Sequence, residues 1–404
     1  MATLTFETLQ FSDQPDQLQV DFLRMYSFSV PKTELADFGP MIVECNTLEF
    51  PEMGQGSAER KFNFLLSKGF LHLKNKLSGK PTVYIHKGSG IPLRGHIAFG
   101  LIDRGSNIIE VKPITSCNIK CTYCSVNEDV RPVDFIVEKD YLVEEFKKLI
   151  AEKGVDGIEA HIASQGEPTL YADLVPLVRD LAAIPQVSQI TTDTNATVLT
   201  IAKVDELVAA GFTRFNISIN AMDPEVARKI ANAPYNIEHV KSIAKHIAFT
   251  SGALMISPTY IPGVNDAEIP KILAFVKTLE NPKWKPRVGI QNFLEYRFGR
   301  NAAKQMEWEP FFAKLKAWQE EFGIKLMLEE GDFDIKKSPT APKVFNRDEI
   351  VKAEIKCRGR LGGEKIAVAR GYCISVPKCR VDKGFVKLKI TKTKHHVYMG
   401  ELLG

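Results

Sequence analysis

Between residues 107 and 300 the chain repeats one pattern: a short apolar run, a loop with polar or glycine positions, then a stretch with apolar residues at helical spacing. The runs Ile108–Val111, Gly157–Ile162, Gln189–Asp193, Phe215–Ile219, Leu254–Tyr260 and Arg287–Phe293 are predicted strands. In Tyr141–Lys153 the residues Leu142, Phe146, Leu149 and Ile150 recur on one helical face. Strand–helix alternation implies a parallel sheet with right-handed crossovers. Six such units fall short of the eight of a closed barrel, so the expected fold is α/β, a partial, open (β/α)6 TIM-like barrel. In such folds ligands sit at the C-terminal strand ends, so chemistry is expected in the loop after each run.

The flanks have other patterns. Residues 1–106 mix β-branched stretches (Met41–Cys45, Thr82–His86), glycine turns and one helix expected over Glu59–Leu73, giving an α+β appendage. No glycine-rich dinucleotide fingerprint is present there. After residue 300 come a predicted helix, Trp308–Phe322, a predicted strand, Lys325–Leu328, and a proline-containing linker over 334–343. Residues 351–404 break into four or five short strands separated by Gly and Pro, which suits a small β-barrel. Three domains are therefore expected: 1–106, 107–350 and 351–404.

Composition changes this picture little, with 44% hydrophobic and 25% charged residues in 404. No apolar run approaches the ~20 residues that span a bilayer, and the N-terminus lacks the pattern of a secretory signal. A cytoplasmic protein with no membrane partner is expected, its seven cysteines reduced unless they hold metal. Charge is uneven. Residues 351–404 carry nine Lys and four Arg against three Glu and one Asp, a local excess of +9 in a chain of net +4. A basic tail on an acidic body suits a polyanionic partner.

The chemistry gathers at Cys117, Cys121 and Cys124, in the spacing C-x3-C-x2-C directly after the first apolar run. Thiolates are soft ligands, and a zinc site would normally take four protein ligands. Three clustered cysteines suit a four-iron cluster with one iron left open. With the aromatic Tyr123 before the last cysteine, the stretch resembles the cluster loop of the radical S-adenosylmethionine (radical SAM) superfamily. The resemblance implies a 4Fe-4S cluster, SAM bound to the open iron, a reduced ferredoxin or flavodoxin-type electron donor, and reductive cleavage to a 5′-deoxyadenosyl radical.

The later loops extend the resemblance. Gln165-Gly166-Glu167-Pro168 follows the second run and is similar to the family's Gly-Gly-Glu-Pro motif, which receives the SAM ammonium group; the first glycine is replaced by Gln165. The resemblance gives Thr194, Asn195, Ser218 and Asn220 contacts to the ribose hydroxyls and carboxylate, and Ile261 and Val264 apolar contacts on the adenine side. Helix capping is an equal alternative reading of Thr194 and Asn195. Gln291, Asn292, Glu295 and Arg297 follow the sixth run, where a substrate would sit.

The tail, with Gly363–Arg370, the Val-Pro turn at 376–377 and Val386–Lys394, resembles the TRAM domain, an OB-like RNA-binding module. That implies tRNA or rRNA as partner, with Lys365, Arg370, Lys387, Lys389, Lys392 and Lys394 toward phosphates; a solvated edge strand would also carry such lysines. Cys357, Cys373 and Cys379 stand open between three readings: apolar fillers, ligands of a second iron–sulfur cluster, and a catalytic thiol. The function these features support is radical modification of RNA, with methylation at an unactivated carbon as one outcome. Two alternatives stand beside it: a radical SAM enzyme acting on a small molecule or protein, and a non-catalytic iron–sulfur RNA-binding protein.

Overall fold

The computed structural model describes residues 1–282, 285 and 287–403. Its centre is a six-stranded sheet in the order Ala253–Ile256, Arg214–Ile217, Val187–Thr194, Ile158–Ile162, Ile108–Lys112, Gly100–Asp103. Five strands are parallel, and Gly100–Asp103 closes one edge antiparallel. Beyond the other edge Thr259–Tyr260 pairs in parallel with Gln291–Asn292, and Ile256 bridges Val288. The sixth expected strand is thus short, and the open six-unit α/β barrel is the fold. Helices Lys139–Lys153, Leu174–Ala182, Ile201–Ala209, Ile237–Ala248 and Glu268–Lys277 cover the outer face, burying Leu142, Phe146, Leu177, Val240 and Ile272 among others.

The inner face is polar. Because strand side chains alternate, Glu110, Glu159, His161, Thr191, Asp193, Arg214 and Asn216 share the lumen while their neighbours pack under the helices. Arg214 donates to Glu159 (2.7 Å) and Asn216 (3.2 Å), and Thr191 donates to Glu159 (2.5 Å). Buried charges persist when paired and hydrogen-bonded in this way.

The N-terminal region holds two antiparallel sheets, Ala2–Thr5 with Thr47–Phe50 and Ile42–Glu44, and Leu9–Asp13 with Gln17–Phe22, Tyr26–Pro31 and Lys74–Asn75. Helix Gln55–Phe70 lies against them, starting and ending about one turn before the expected Glu59–Leu73. It approaches so closely that a Cβ at Gly69 would sit 2.1 Å from the Phe28 ring. This region is not separable at residue 106, because Gly100–Asp103 belongs to the central sheet and Thr82–Ile85 pairs in parallel with Asp134–Val137.

Two further expectations change. Lys325–Leu328 is not a strand, since the Leu326 and Met327 amides are taken by the Gln319 side chain (2.9 and 3.2 Å). Residues 334–343 are a strap: Asn107 bonds the Asp334 carbonyl and the Lys336 amide, and buried Lys153 joins Asp103 (2.8 Å) and the Pro339 carbonyl (2.7 Å). The strap leads into a closed five-stranded barrel, Ile350–Arg358, Lys365–Ala369, Tyr372–Val376, Met399–Leu402 and Gly384–Lys392. Its own core contains Ala353, Ile355, Ile374, Val376, Leu388 and Ile390. Among the described residues no helix is long and apolar enough to cross a membrane.

Candidate active site

Cys117, Cys121 and Cys124 follow the first parallel strand and line one cavity of about 160 Å³. Their loop has no regular structure, so its shape comes from tethers. The Lys120 and Thr122 amides donate to the Ala231 and Ile230 carbonyls at the end of helix Pro224–Ala231 (2.9 Å each). The Arg300 amide donates to the Cys124 carbonyl (2.8 Å), and Asn195 donates through its side chain to Asn118 (3.1 Å). From below, Asn75 donates to Ser116 (2.7 Å) and to Asp134 (2.8 Å). Arg131, also paired with Asp134, donates to the Thr115 carbonyl (2.7 Å) and the Gln165 carbonyl (3.1 Å), joining the cysteine loop to the next one.

Burial raises all three thiols, Cys121 to about 12 and Cys117 well above its usual range. Desolvated thiols stay protonated until a metal cation takes the proton's place on sulfur and the proton leaves to solvent. Three soft donors lining one cavity are a donor set that would hold an iron–sulfur cluster with one position left open.

Glu167 stands across this cavity, nearly inaccessible to solvent. Its Oε1 accepts from the Thr169 amide (3.0 Å), the Thr169 hydroxyl (2.5 Å) and the Thr194 hydroxyl (2.6 Å); its Oε2 accepts from the Asn195 amide (2.8 Å). Burial pushes this carboxyl up, and the donors pull against that rise. Gly166 is required sterically, since a Cβ there would lie 2.1 Å from the Ser116 carbonyl oxygen. Pro168 begins the short turn that Glu167 caps, and the Gln165 side-chain oxygen is buried without a partner.

Thr194, Asn195, Ser218 and Asn220 all line the cavity, as does Tyr123. Asn220 donates to the Tyr123 hydroxyl (2.7 Å) and accepts from the Thr259 amide (2.8 Å), locking the cysteine loop to two strand ends. Asp193 sits where this cavity meets a larger one of about 630 Å³. Its carboxylate accepts from Asn216 (2.9 Å) and faces His161 Nε2 (3.3 Å), yet its side chain is 57% exposed. Desolvation by the surrounding walls opposes ionisation, but His161 and the hydrogen bonds outweigh it and hold Asp193 at about 2. Burial works against a charged His161, and Asp193 reverses that effect, raising it.

Gln291 and Asn292 line the larger cavity, whereas Glu295 and Arg297 do not; Arg297 stacks on Phe298. Ile261 and Val264 are absent from both linings and pack into the core. Asn265 explains this, because its side chain bonds the Ile261 amide (2.7 Å) and the Thr259 and Asn220 carbonyls (2.9 Å each), folding that loop inward. The three tail cysteines are not brought to either cavity. Cys373 donates to the Pro92 carbonyl (3.1 Å) and packs with Cys357 into the main core, while Cys379 lies in the barrel's own core. Split between two cores, the three do not face one another as a cluster would need. Lys365 pairs with Asp382, Arg370 with Glu349 and Lys389 with Asp348, leaving Lys387, Lys392 and Lys394 exposed.

Sequence reasoning missed Arg131 and Arg300, which hold loops through backbone groups and form no motif, and it read Asn265 only as part of the adenine-side loop or as a helix cap. It also missed Trp308 and Phe312, whose helix was foreseen but not its facing.

A model of the radical SAM superfamily matches residues 111–276. An uncharacterized protein of Methanocaldococcus jannaschii, MJ0103, is 35% identical over 361 residues, covering 82% of this chain and 83% of that protein. The GTP 3′,8-cyclase of Listeria monocytogenes is 30% identical over 176 residues, covering 43% of this chain, which spans 51% of the cyclase. A solved structure of Streptococcus suis SuiB bound to its precursor peptide aligns with a TM-score of 0.42 and 13% identity over 84% of this chain and 72% of that one. The matched residues form a radical SAM domain, and the cofactors of that superfamily are a four-iron, four-sulfur cluster and S-adenosylmethionine.

Proposed function

We propose that this radical SAM enzyme modifies RNA, of the tRNA or rRNA class. In this reading Cys117, Cys121 and Cys124 hold the cluster. The loop of Gly166 and Glu167 receives the SAM ammonium group, with Glu167 Oε2 holding acceptor capacity beyond the Asn195 amide. Thr194, Asn195, Ser218 and Asn220 orient the rest of the cofactor. The bound cofactors supply one-electron chemistry driven by a reduced donor. The chain's part is to position the substrate and exclude water.

One observation carries the choice of RNA. On the outer face of the C-terminal barrel Lys352 is paired in register with Lys387, and Lys352 lies 4.7 Å from the ring of Phe385, which is 65% exposed. Lysines beside an exposed aromatic ring form a surface that grips phosphates and stacks a base. The barrel's Lys394–His396 turn packs on the Gly100–Asp103 strand, at the opposite edge of the sheet from Ala253–Ile256. A folded RNA bridges the width of the sheet; a single nucleotide does not.

The test is fluorescence anisotropy with a tRNA across a salt series, using the full chain and a Lys352→Glu, Lys387→Glu double variant. Affinity should fall at least tenfold and the salt slope by about 2, with SAM cleavage to 5′-deoxyadenosine retained; unchanged affinity would sink the reading. Comparing modified nucleosides in RNA from cells with and without the gene then identifies the product and the group added. A second reading, action on a small molecule, is favoured by the aromatic lining of the larger cavity beside the cofactor site, and an unchanged nucleoside profile would support it.

A further inference from the structure

The larger cavity has a chemical character of its own. Trp308, Phe311, Phe312 and Phe293 wall it, with Trp308 and Phe312 stacked at 5.7 Å and still 47% and 40% exposed. Flat rings presenting a free face are suited to stacking on another flat ring. Three of its polar groups can accept a ligand's hydrogen bonds. Asn292 is 6% exposed and spends its amide on the Met306 carbonyl (2.7 Å), which leaves Oδ1 buried and without a partner. The Ser257 hydroxyl, in a residue 7% exposed, is likewise buried and unpartnered. Buried polar atoms without partners are costly, so these two are sites for a ligand's hydrogen bonds. The third acceptor is the Asp193 carboxylate, which already holds Asn216 and His161 but keeps its exposed side toward the cavity.

Asp193 is the sole charged group in this lining among the described residues, and no Lys, Arg or His lines it. Lys285 and Arg287 line a separate cavity. A carboxylate ionised at neutral pH accepts and cannot donate, so it favours N–H and repels phosphate. Anion-binding sites are built from cations or helix N-termini, and the side chains here supply the opposite charge.

We propose that this chamber seats an amino-bearing nucleobase ring without its phosphates, with Asp193 and Asn292 accepting from the two N–H bonds of its amino group. This deepens the RNA reading and rests on it: the base enters the aromatic chamber, and the phosphates stay outside it. Entry of a base removed from its stack is how enzymes reach atoms hidden in nucleic acid. The same chamber would reject a free nucleoside triphosphate.

The experiment is tryptophan fluorescence of the full chain titrated with adenosine, cytidine, uridine, inosine and adenosine 5′-monophosphate. Adenosine should bind at least tenfold more tightly than inosine, which carries a carbonyl where adenosine carries its amino group. The monophosphate should bind no more tightly than adenosine. Asp193→Asn should abolish the preference for adenosine over inosine. Equal binding of adenosine and inosine, tighter binding of the monophosphate, or a loss confined to SAM affinity in Asp193→Asn would each overturn the proposal. Trp308→Ala, at a half-exposed position, keeps the test open if the Asp193 variant does not fold: adenosine affinity should drop tenfold, and an unchanged value overturns it. Nucleoside selectivity with no tRNA binding by the barrel would count against the RNA reading alone; tRNA binding without nucleoside selectivity would count against this proposal alone.

Discussion

Glu167 shows how much of the site is decided by single atoms. Its carboxylate meets only donors: two amides and two hydroxyls. In Glu167→Gln one acceptor becomes an NH2 group aimed at another donor, in either orientation. Leaving a buried donor unmatched costs about 1–3 kcal/mol, so the midpoint of thermal unfolding should fall and SAM affinity should drop at least tenfold. An isothermal titration showing unchanged SAM affinity would remove Glu167 from the cofactor site. His161 gives a second, spectroscopic test. Its folded pKa is raised by Asp193, so the pair's stabilisation is complete below the unfolded His value and fades as pH rises through the folded one. Asp193 is depressed to about 2, so its share is present above the unfolded Asp value and is lost as pH falls toward 2. Asp193→Asn should therefore move the His161 ring-proton titration in an NMR pH series downward; an unmoved curve would mean the two are not coupled.

At the scale of elements, legibility followed the kind of force that shapes each one. The strands from Ile108 to Ile256 were readable because burial on the outer face writes apolar residues into the sequence, and helix Trp308–Phe322 matched residue for residue. The cysteine loop and Gly166-Glu167 were readable because metal ligation and close backbone approach admit few residue types. Lys325–Leu328 was misread because an apolar run looks the same whether a neighbouring strand or a lone Gln319 takes its amides. The strap over 334–343 was invisible for a related reason: it is held through the Asp334, Lys336 and Pro339 backbone, which leaves no side-chain pattern. Ile261 and Val264 fell on the wrong side of their loop because Asn265, a residue usually read as a helix cap, organises the backbone there instead. Side-chain chemistry was visible in the sequence, and backbone-held placement was not.

The whole molecule depends on a seam that neither flank announces. The barrel meets the body where the Cys373 amide donates to the Arg94 carbonyl (2.8 Å) and the Tyr398 amide to the Gly95 carbonyl (3.0 Å). Arg94 adds a bond to Glu152 (2.5 Å) and one to the Tyr372 hydroxyl (3.3 Å). Gly95 has φ +101°, and a Cβ there would lie 2.2 Å from the Cys373 carbonyl oxygen. Gly95→Ala thus combines an unfavourable backbone conformation with a contact that only backbone movement relieves, a cost of about 1–3 kcal/mol or more. The barrel keeps its own closed hydrogen bonding and core, so the expected failure is undocking of the barrel, with its fold retained. Hydrogen exchange should then speed up at the Cys373 and Tyr398 amides, while amides between Ile350–Arg358 and Gly384–Lys392 keep their protection. Uniform loss across the barrel would mean that body and barrel fold as one unit, and unchanged exchange at both seam amides would mean that Gly95 does not govern docking. In the first outcome the variant also separates the two halves of the proposed function: nucleoside binding in the chamber should persist, while tRNA engages the barrel without being modified.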